Sequence, residues 1–349
     1  MFYSCFGKSV MFFSVLIKEF RKLSIIFATA MEKLKYHFIR TLWILGAMLP
    51  FKVLYLLSDI IYLIVYYVVR YRRNIVRDNL LKSFPEKSLY EVVQIEKSFY
   101  SSFCDYMVET VKLIRMSPER IKKHMRFDGV EEMEQMLAGE GKSAMVYIGH
   151  LFNWEFITSL PLHFKNPEVK FGQIYHPLAS KAMDELFLEL RGQYGSESIA
   201  MKNTLRRILE LSHEKKPFII GSIADQVPTW ESIKHWLTFF HRETPVFTGS
   251  EKIGRRIGSS FYYLALRREK RGYYVGTFHL ICEDASKTEE NEITNKYFTL
   301  LEKNIKEEPY LWLWTHKRWK RTRQGYIQRE LKRAQDLQRL KEKSQQENS

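Results

Sequence analysis

The sequence predicts an α/β protein: a mixed, mostly parallel sheet flanked by helices, behind an N-terminal membrane-anchoring helix. Three observations predict it. From about Phe127 onward, short apolar runs of strand length alternate with stretches of helical period. One pair of runs, Phe261–Arg267 and Tyr273–Glu283, surrounds the Glu269-Lys-Arg-Gly272 turn and reads as a β-hairpin, which makes the sheet mixed at one edge. Ahead of both, Val53–Val69 has only Ser58 and Asp59 as strongly polar interruptions.

That apolar segment comes first in the chain. Its 17 residues would span roughly 25 Å as a helix, short of a ~30 Å hydrocarbon core. Thr41–Leu49 lengthens it, but Pro50 and Lys52 break the run. A single tilted, kinked span and a hairpin dipping into one leaflet are both open, and a buried core helix is the bland alternative. Arg70, Arg72, Arg73 and Arg77 crowd one flank, against Lys33, Lys35 and Arg40 on the other; the denser cluster places the C-terminal side of the segment in the cytoplasm. Tyr62, Tyr66, Tyr67 and Tyr71 suit an interfacial belt. Residues 1–30 make a poor signal peptide and read as an upstream extension, with Met31 as the natural start. The expected divisions are therefore an extension at 1–40, an anchor at 41–70, an α/β domain at 71–323 and a basic tail at 324–349.

Each later element has its own signal. Asp78–Met116 carries apolar residues at helical spacing, punctuated by Pro85 and Pro118. Glu131–Leu137 reads as a short helix, Gly139–Gly141 as a turn, and Ser143–Ile148 as a buried strand. Helix Trp154–Leu160, strand Val169–Tyr175 and amphipathic helix Ala179–Tyr194 follow. Then come helix Thr204–Ser212, strand Pro217–Ile223, strand Trp236–Phe240, helix Gly249–Ile257, the hairpin, and helix Glu289–Lys306. His316–Ser349 holds 11 Lys/Arg and 4 Asp/Glu and reads as a solvated helix or frayed tail.

The formal net charge of +15, from 55 Lys+Arg against 40 Asp+Glu, points to anionic partners. Cys5, Cys104 and Cys282 are too few and too scattered for a disulfide framework or a zinc site. The sequence contains no P-loop, G-x-G-x-x-G or G-x-S-x-G, and no second His or Cys at ligand spacing from His150. Nucleotide-cofactor, serine-hydrolase and zinc chemistries therefore lack a motif, and no metal and no cofactor is expected. A nucleic-acid-binding protein would explain the charge and the 15% aromatic content, but the basic residues cluster beside an apolar anchor and no recognition motif accompanies them.

The chemistry concentrates at Met145–Glu155, where an apolar run ends in Gly149-His150 and a carboxylate follows at Glu155. Gly149 allows a tight backbone path. Positions i and i+5 lie about 140° apart on a helix, so His150 must sit in the turn and Glu155 in the helix after it. His150 and Asp225 both fall at C-terminal strand ends, the edge where open α/β sheets gather ligands, so they are expected to converge. A histidine there can act as general base for a hydroxyl, with either Glu155 or Asp225 holding its tautomer. Backbone N–H groups after His150, Asn153 or Arg191 could stabilise an oxyanion. A satisfied structural histidine is the competing reading.

Several ordered motifs resemble the late lipid A acyltransferases of Gram-negative bacteria, within the lysophospholipid acyltransferase superfamily. They are Arg77-Asp-Asn79 through Phe84-Pro85, Gly149-His150-Leu-Phe-Asn153-Trp154-Glu155, Ile174–Leu178 with Arg191 and Gly195, Ala224-Asp225-Gln226, Phe239–Gly249, and Pro309–Trp319. The resemblance covers roughly residues 40–323. It departs at His176, where the family commonly has Arg. The resemblance implies a glycerol-3-phosphate acyltransferase-like fold and an enzyme of the bacterial inner membrane facing the cytoplasm. It would move an acyl chain from acyl carrier protein to a hydroxyl of an anionic lipid A precursor. The same chemistry on an amino-acid lipid, lysophospholipid, glycolipid or aryl-polyene lipid stays open. By carry-over His150 is the base, Glu155 orients it, Asp225 and Gln226 line the site, and Arg191 contacts the oxyanion or a phosphate. Arg318 is offered as a phosphate contact or one half of a solvated ion pair. Trp312, Trp314 and Trp319 read as core or interfacial aromatics.

Overall fold

The computed structural model describes residues 30–139 and 141–347. Nine strands are present among them: β1 (Met125–Asp128), β2 (Ser143–Ile148), β3 (Lys170–Tyr175), β4 (Ser196–Ala200), β5 (Phe218–Ile223), β6 (His235–Phe239), β7 (Arg242–Val246), β8 (Ser260–Lys270) and β9 (Tyr273–Cys282). Seven form one sheet in the order β1-β9-β8-β2-β5-β3-β4, and β6–β7 pair as a separate hairpin. Every neighbour in the large sheet is parallel except β8 and β9, the expected hairpin.

β2 lies near the middle with all six residues buried, which is why it reads as an unbroken apolar run. Its register against β5 matters most for function. Ile148 pairs with Ile223, so His150 and Asp225, each two residues further on, leave the sheet side by side.

The helices begin with one at 30–48 (α1), then α2 (Phe51–Leu63), which continues through a single wide turn at Ile64–Val68. Next come α3 (Arg73–Ser83), α4 (Leu89–Leu113), α5 (Pro118–His124), α6 (Val130–Met136), α7 (Lys181–Gly192), α8 (Thr204–His213), α9 (Gly249–Ile257), α10 (Glu292–Glu307) and α11 (Arg323–Glu347). α4 starts at a capping box: Ser88 Oγ accepts the Glu91 N–H, and the Glu91 carboxylate accepts the Ser88 N–H. Trp154–His163 is a 3-10 helix, not an α-helix.

α10 covers one face of the sheet, where Tyr297 stacks on Tyr147 with ring centroids 4.5 Å apart and donates to the Ile148 carbonyl. α4 and the 3-10 helix cover the other through Phe99, Phe152, Phe156 and Tyr274. Each such ring, fully enclosed, contributes on the order of 2–3 kcal/mol of burial.

The apolar N-terminal segment is two helices broken at Pro50, and α2 is not a core helix: only Leu54 and Ser58 are buried along it. Phe51–Val68 is long and apolar enough to cross a membrane by length and composition. Its polar interruptions are docking contacts. Ser58 Oγ donates to Asp105 at 2.7 Å, and Arg271, from the β8–β9 turn, bonds both Asp59 and Asp105 at 2.6 Å. Lys112 donates to the Ala47 and Leu49 carbonyls, closing the end of α1.

α1 is tied to α7 by Arg40 and Tyr36, which both bond Glu189, so the expected boundary at residue 40 falls inside a docked helix. The expected extension at residues 1–30 lies, but for its last residue, outside the described residues. Away from these contacts the two helices expose Leu34, Phe38, Leu42, Leu45, Leu56, Ile60, Leu63 and Val68, a large unpartnered apolar surface. The tail, expected as a solvated helix or frayed end, is the exposed helix α11.

Candidate active site

Strand β2 ends at Ile148, and the chain then runs back across the C-terminal segment. The Leu313 N–H donates to the His150 carbonyl and the Phe152 N–H to the Leu311 carbonyl, both at 3.0 Å. Gly149 is needed for close packing and not for an unusual turn. A Cβ there would lie 2.6 Å from methyl groups of both Leu151 and Leu301.

His150 is held by Asp225. Nδ1 lies 2.5 Å from Oδ1, and the His150 backbone N–H donates to Oδ2 at 2.9 Å. With Nδ1 carrying the proton toward the carboxylate, Nε2 keeps its lone pair, and it faces the Gln226 amide, which donates to it at 3.2 Å. The His150 side chain is 17% exposed, so the pair is sheltered yet reachable. Trp312 completes the carboxylate's shell by donating from its indole to Oδ2 at 2.7 Å. Burial alone would push the Asp225 carboxyl up. The imidazole's charge, the hydrogen bonds from the ring and from the His150 backbone N–H, and the indole together hold it at about 2, so Asp225 is ionised across the physiological range.

The orienting place that the resemblance gave to Glu155 is therefore taken by Asp225. Glu155 is buried in a different pair: Arg191 grips it through Nε at 2.9 Å and Nη2 at 2.6 Å, and Trp154 Nε1 donates to it at 3.0 Å. The reason is geometric. Trp154 starts the 3-10 helix and Glu155 follows it directly, which turns that carboxylate toward α7 and away from the ring. The two pairs still touch through Trp154, whose ring packs edge-on against His150 at 5.1 Å.

Two further expected donors are engaged elsewhere. Asn153 caps the 3-10 helix, accepting the Glu155 N–H at 3.0 Å, and directs its own amide N–H to Glu109 at 3.1 Å. It is fully buried and offers nothing to an oxyanion. Arg318, expected at phosphate or in a solvated ion pair, is 0% exposed. Its Nη2 donates to the Pro245 carbonyl at 2.8 Å, while Nε and Nη1 have no partner. Burial lowers it to about 10 despite the opposing charge of Asp225, so it remains cationic behind the site. His176, the family departure, is exposed on the surface.

Sequence reasoning missed three contributors. Trp312 read as core, and it is core, but it also bonds the working carboxylate. His316 is pushed by burial to about 4 and accepts the Val227 N–H, bracing the turn after Gln226. Glu109 lies beneath the site, bonded by Asn153, Tyr274 and Tyr55. Its signal was a carboxylate inside the apolar stripe of α4. Among the described residues no three His, Cys, Asp or Glu side chains converge as metal ligands.

The site as built can take a proton at Nε2 of one imidazole, spread the resulting charge onto a fixed carboxylate, and return it. A model of the family described as bacterial lipid A biosynthesis acyltransferase matches residues 25–321 of the chain. No curated protein matches it.

Proposed function

The chain belongs to the bacterial lipid A biosynthesis acyltransferase family and is an acyltransferase; on that premise we propose that it acylates a hydroxyl of a lipid A precursor from an acyl carrier protein thioester. The observation that carries this reading is the His150–Asp225 pair, with its unprotonated ring nitrogen facing Gln226 at the C-terminal edge of the sheet.

In the proposed reaction the acceptor hydroxyl sits at His150 Nε2. Its oxygen attacks the thioester carbonyl as Nε2 takes the proton, and the imidazolium formed is balanced by Asp225, which stays ionised. Collapse of the tetrahedral intermediate breaks the C–S bond. The departing thiolate takes back the proton from Nε2, restoring the neutral ring. In this reading the acceptor hydroxyl replaces the Gln226 amide at Nε2, and that amide turns to donate to the carbonyl oxygen. Glu155 and Arg191 act through Trp154, fixing the wall against which the ring turns.

The exposed apolar faces of α1 and α2 supply the membrane seat in this reading, on the cytoplasmic leaflet of the inner membrane, where both substrates are anionic and the chain is basic. Because Asp59 and Ser58 dock mid-helix onto Asp105 and Arg271, the two helices are read as a hairpin pressed into one leaflet and not as an isolated span. The test is turnover by the purified chain of acyl carrier protein thioester and a lipid A precursor, read by mass spectrometry. Addition of one acyl group is expected, and release of the protein from membranes by detergent but not by high salt. A product acylated only on another lipid would overturn the acceptor assignment.

A further inference from the structure

Of the two arginines that the sequence offered to a phosphate, Arg191 is held by Glu155 and Arg318 is sealed from solvent. A different set of cations is left over. A cavity of about 810 Å³ opens between α3, the β6–β7 hairpin and the 317–324 segment. It is lined by Lys82, Arg242, Lys317, Lys320, Arg321 and Arg323, against only Asp78 and Glu243. Both acidic groups already have partners, Asp78 with Lys82 at 2.7 Å and Glu243 with Arg323 at 3.8 Å.

Arg242 is the anchor of this cavity. Its guanidinium lies 3.2 Å from the centre of the Trp319 ring and donates from Nη2 to Ser83 Oγ at 2.6 Å, while its buried Nε has no partner. A half-desolvated guanidinium with no ion-pair partner among the described residues is costly alone and favourable once an anion in the cavity supplies the missing countercharge. Guanidinium geometry matches a phosphate's oxygens, and the surrounding ammonium groups add charge.

Hydrogen bonds link the wall of this cavity to the site. Asn79, on its wall, donates to the Trp314 and His316 carbonyls, and His316 on that same segment braces the turn following Gln226. On the other side, α3 begins five residues after the apolar helix ends at Val68, where a lipid headgroup meets water.

We propose that this basic cavity binds a phosphate ester on the headgroup of the lipid acceptor and so holds that lipid beside His150. The proposal rests on the lipid A precursor reading and names where that substrate's charge is held. It is tested on the full chain in detergent, with a phosphorylated lipid A precursor and the same lipid after phosphatase treatment, by equilibrium binding and by turnover. The wild type is expected to bind the phosphorylated lipid at least about tenfold more tightly. Lys320→Gln/Arg321→Gln, at the rim, and Arg242→Gln should each remove most of that preference and raise KM with kcat within about twofold, their melting temperatures serving as the folding control. Equal binding of the two lipids by the wild type would overturn the proposal, as would rim variants that bind like the wild type. A rim variant that raises KM for the carrier protein alone would also overturn it, assigning the surface to the acyl donor. Selective binding without any acyl transfer would keep the cavity and defeat the acyl-transfer reading, whereas transfer with no phosphate preference would do the reverse.

Discussion

Asp225 at the sheet edge and Glu109 on α4 are both enclosed carboxylates, and each accepts hydrogen bonds from three groups. They differ in what those donors are. Asp225 faces an imidazole that can become a cation and is held at about 2. Glu109 has a carboxamide, two phenols and, nearby, the like charge of Asp105; burial, then that charge, raise it to about 7. Neutral donors do not offset the desolvation of a charge, whereas a titratable ring does. One carboxylate is thus kept charged beside the imidazole, and the other is poised to be neutral within the scaffold.

The comparison breaks most sharply at Asp225. Asp225→Asn keeps the shape but removes the charge that stabilises the imidazolium and fixes its tautomer. Acyl-transfer kcat should fall on the order of 10³–10⁴-fold, and a fall of less than tenfold would show that catalysis does not depend on the Asp225 charge. Trp312→Phe removes one hydrogen bond from the same carboxylate and should lower kcat by about tenfold, with little change in KM; an unaltered kcat would reduce Trp312 to packing.

The smallest effect is one of pH. Because Asp225 is depressed in the folded state, its contribution to stability is complete above the ordinary carboxylate range and is lost as pH falls through about 2. Glu109 is raised, so its contribution is complete below about 4.3 and is lost as pH rises through about 7. Glu109→Gln should flatten the decline in unfolding midpoint between those two values. The same decline in variant and wild type would place its origin elsewhere.

The parts of this arrangement that the sequence disclosed are those governed by burial. β2 and β5 are central, so Ser143–Ile148 and Phe218–Ile223 read as apolar runs, and their ends predicted that His150 and Asp225 would meet. β1, β4 and β7 escaped notice because they are four or five residues long and carry charges or a proline, as in Arg242–Val246. The H-x4-E spacing was visible, but spacing does not say where a carboxylate points. Its partner Arg191 lies 36 positions along on another helix, and only the fold decides between that partner and the ring. Likewise Asn153 and Arg318 have suitable chemistry, but both are buried. The apolar run near the N-terminus was legible, while the docking role of Ser58 and Asp59 needed Arg271 from a turn more than two hundred residues away.

Everything proposed for catalysis passes through one ring nitrogen, so turnover of His150→Ala is the most direct measurement. With folding checked by thermal melting and membrane association by detergent extraction, the rate of acyl transfer should drop by on the order of 10²–10⁴-fold or more while both controls match the wild type. A variant that still transfers acyl groups at the wild-type rate would contradict the assignment of His150 as the base.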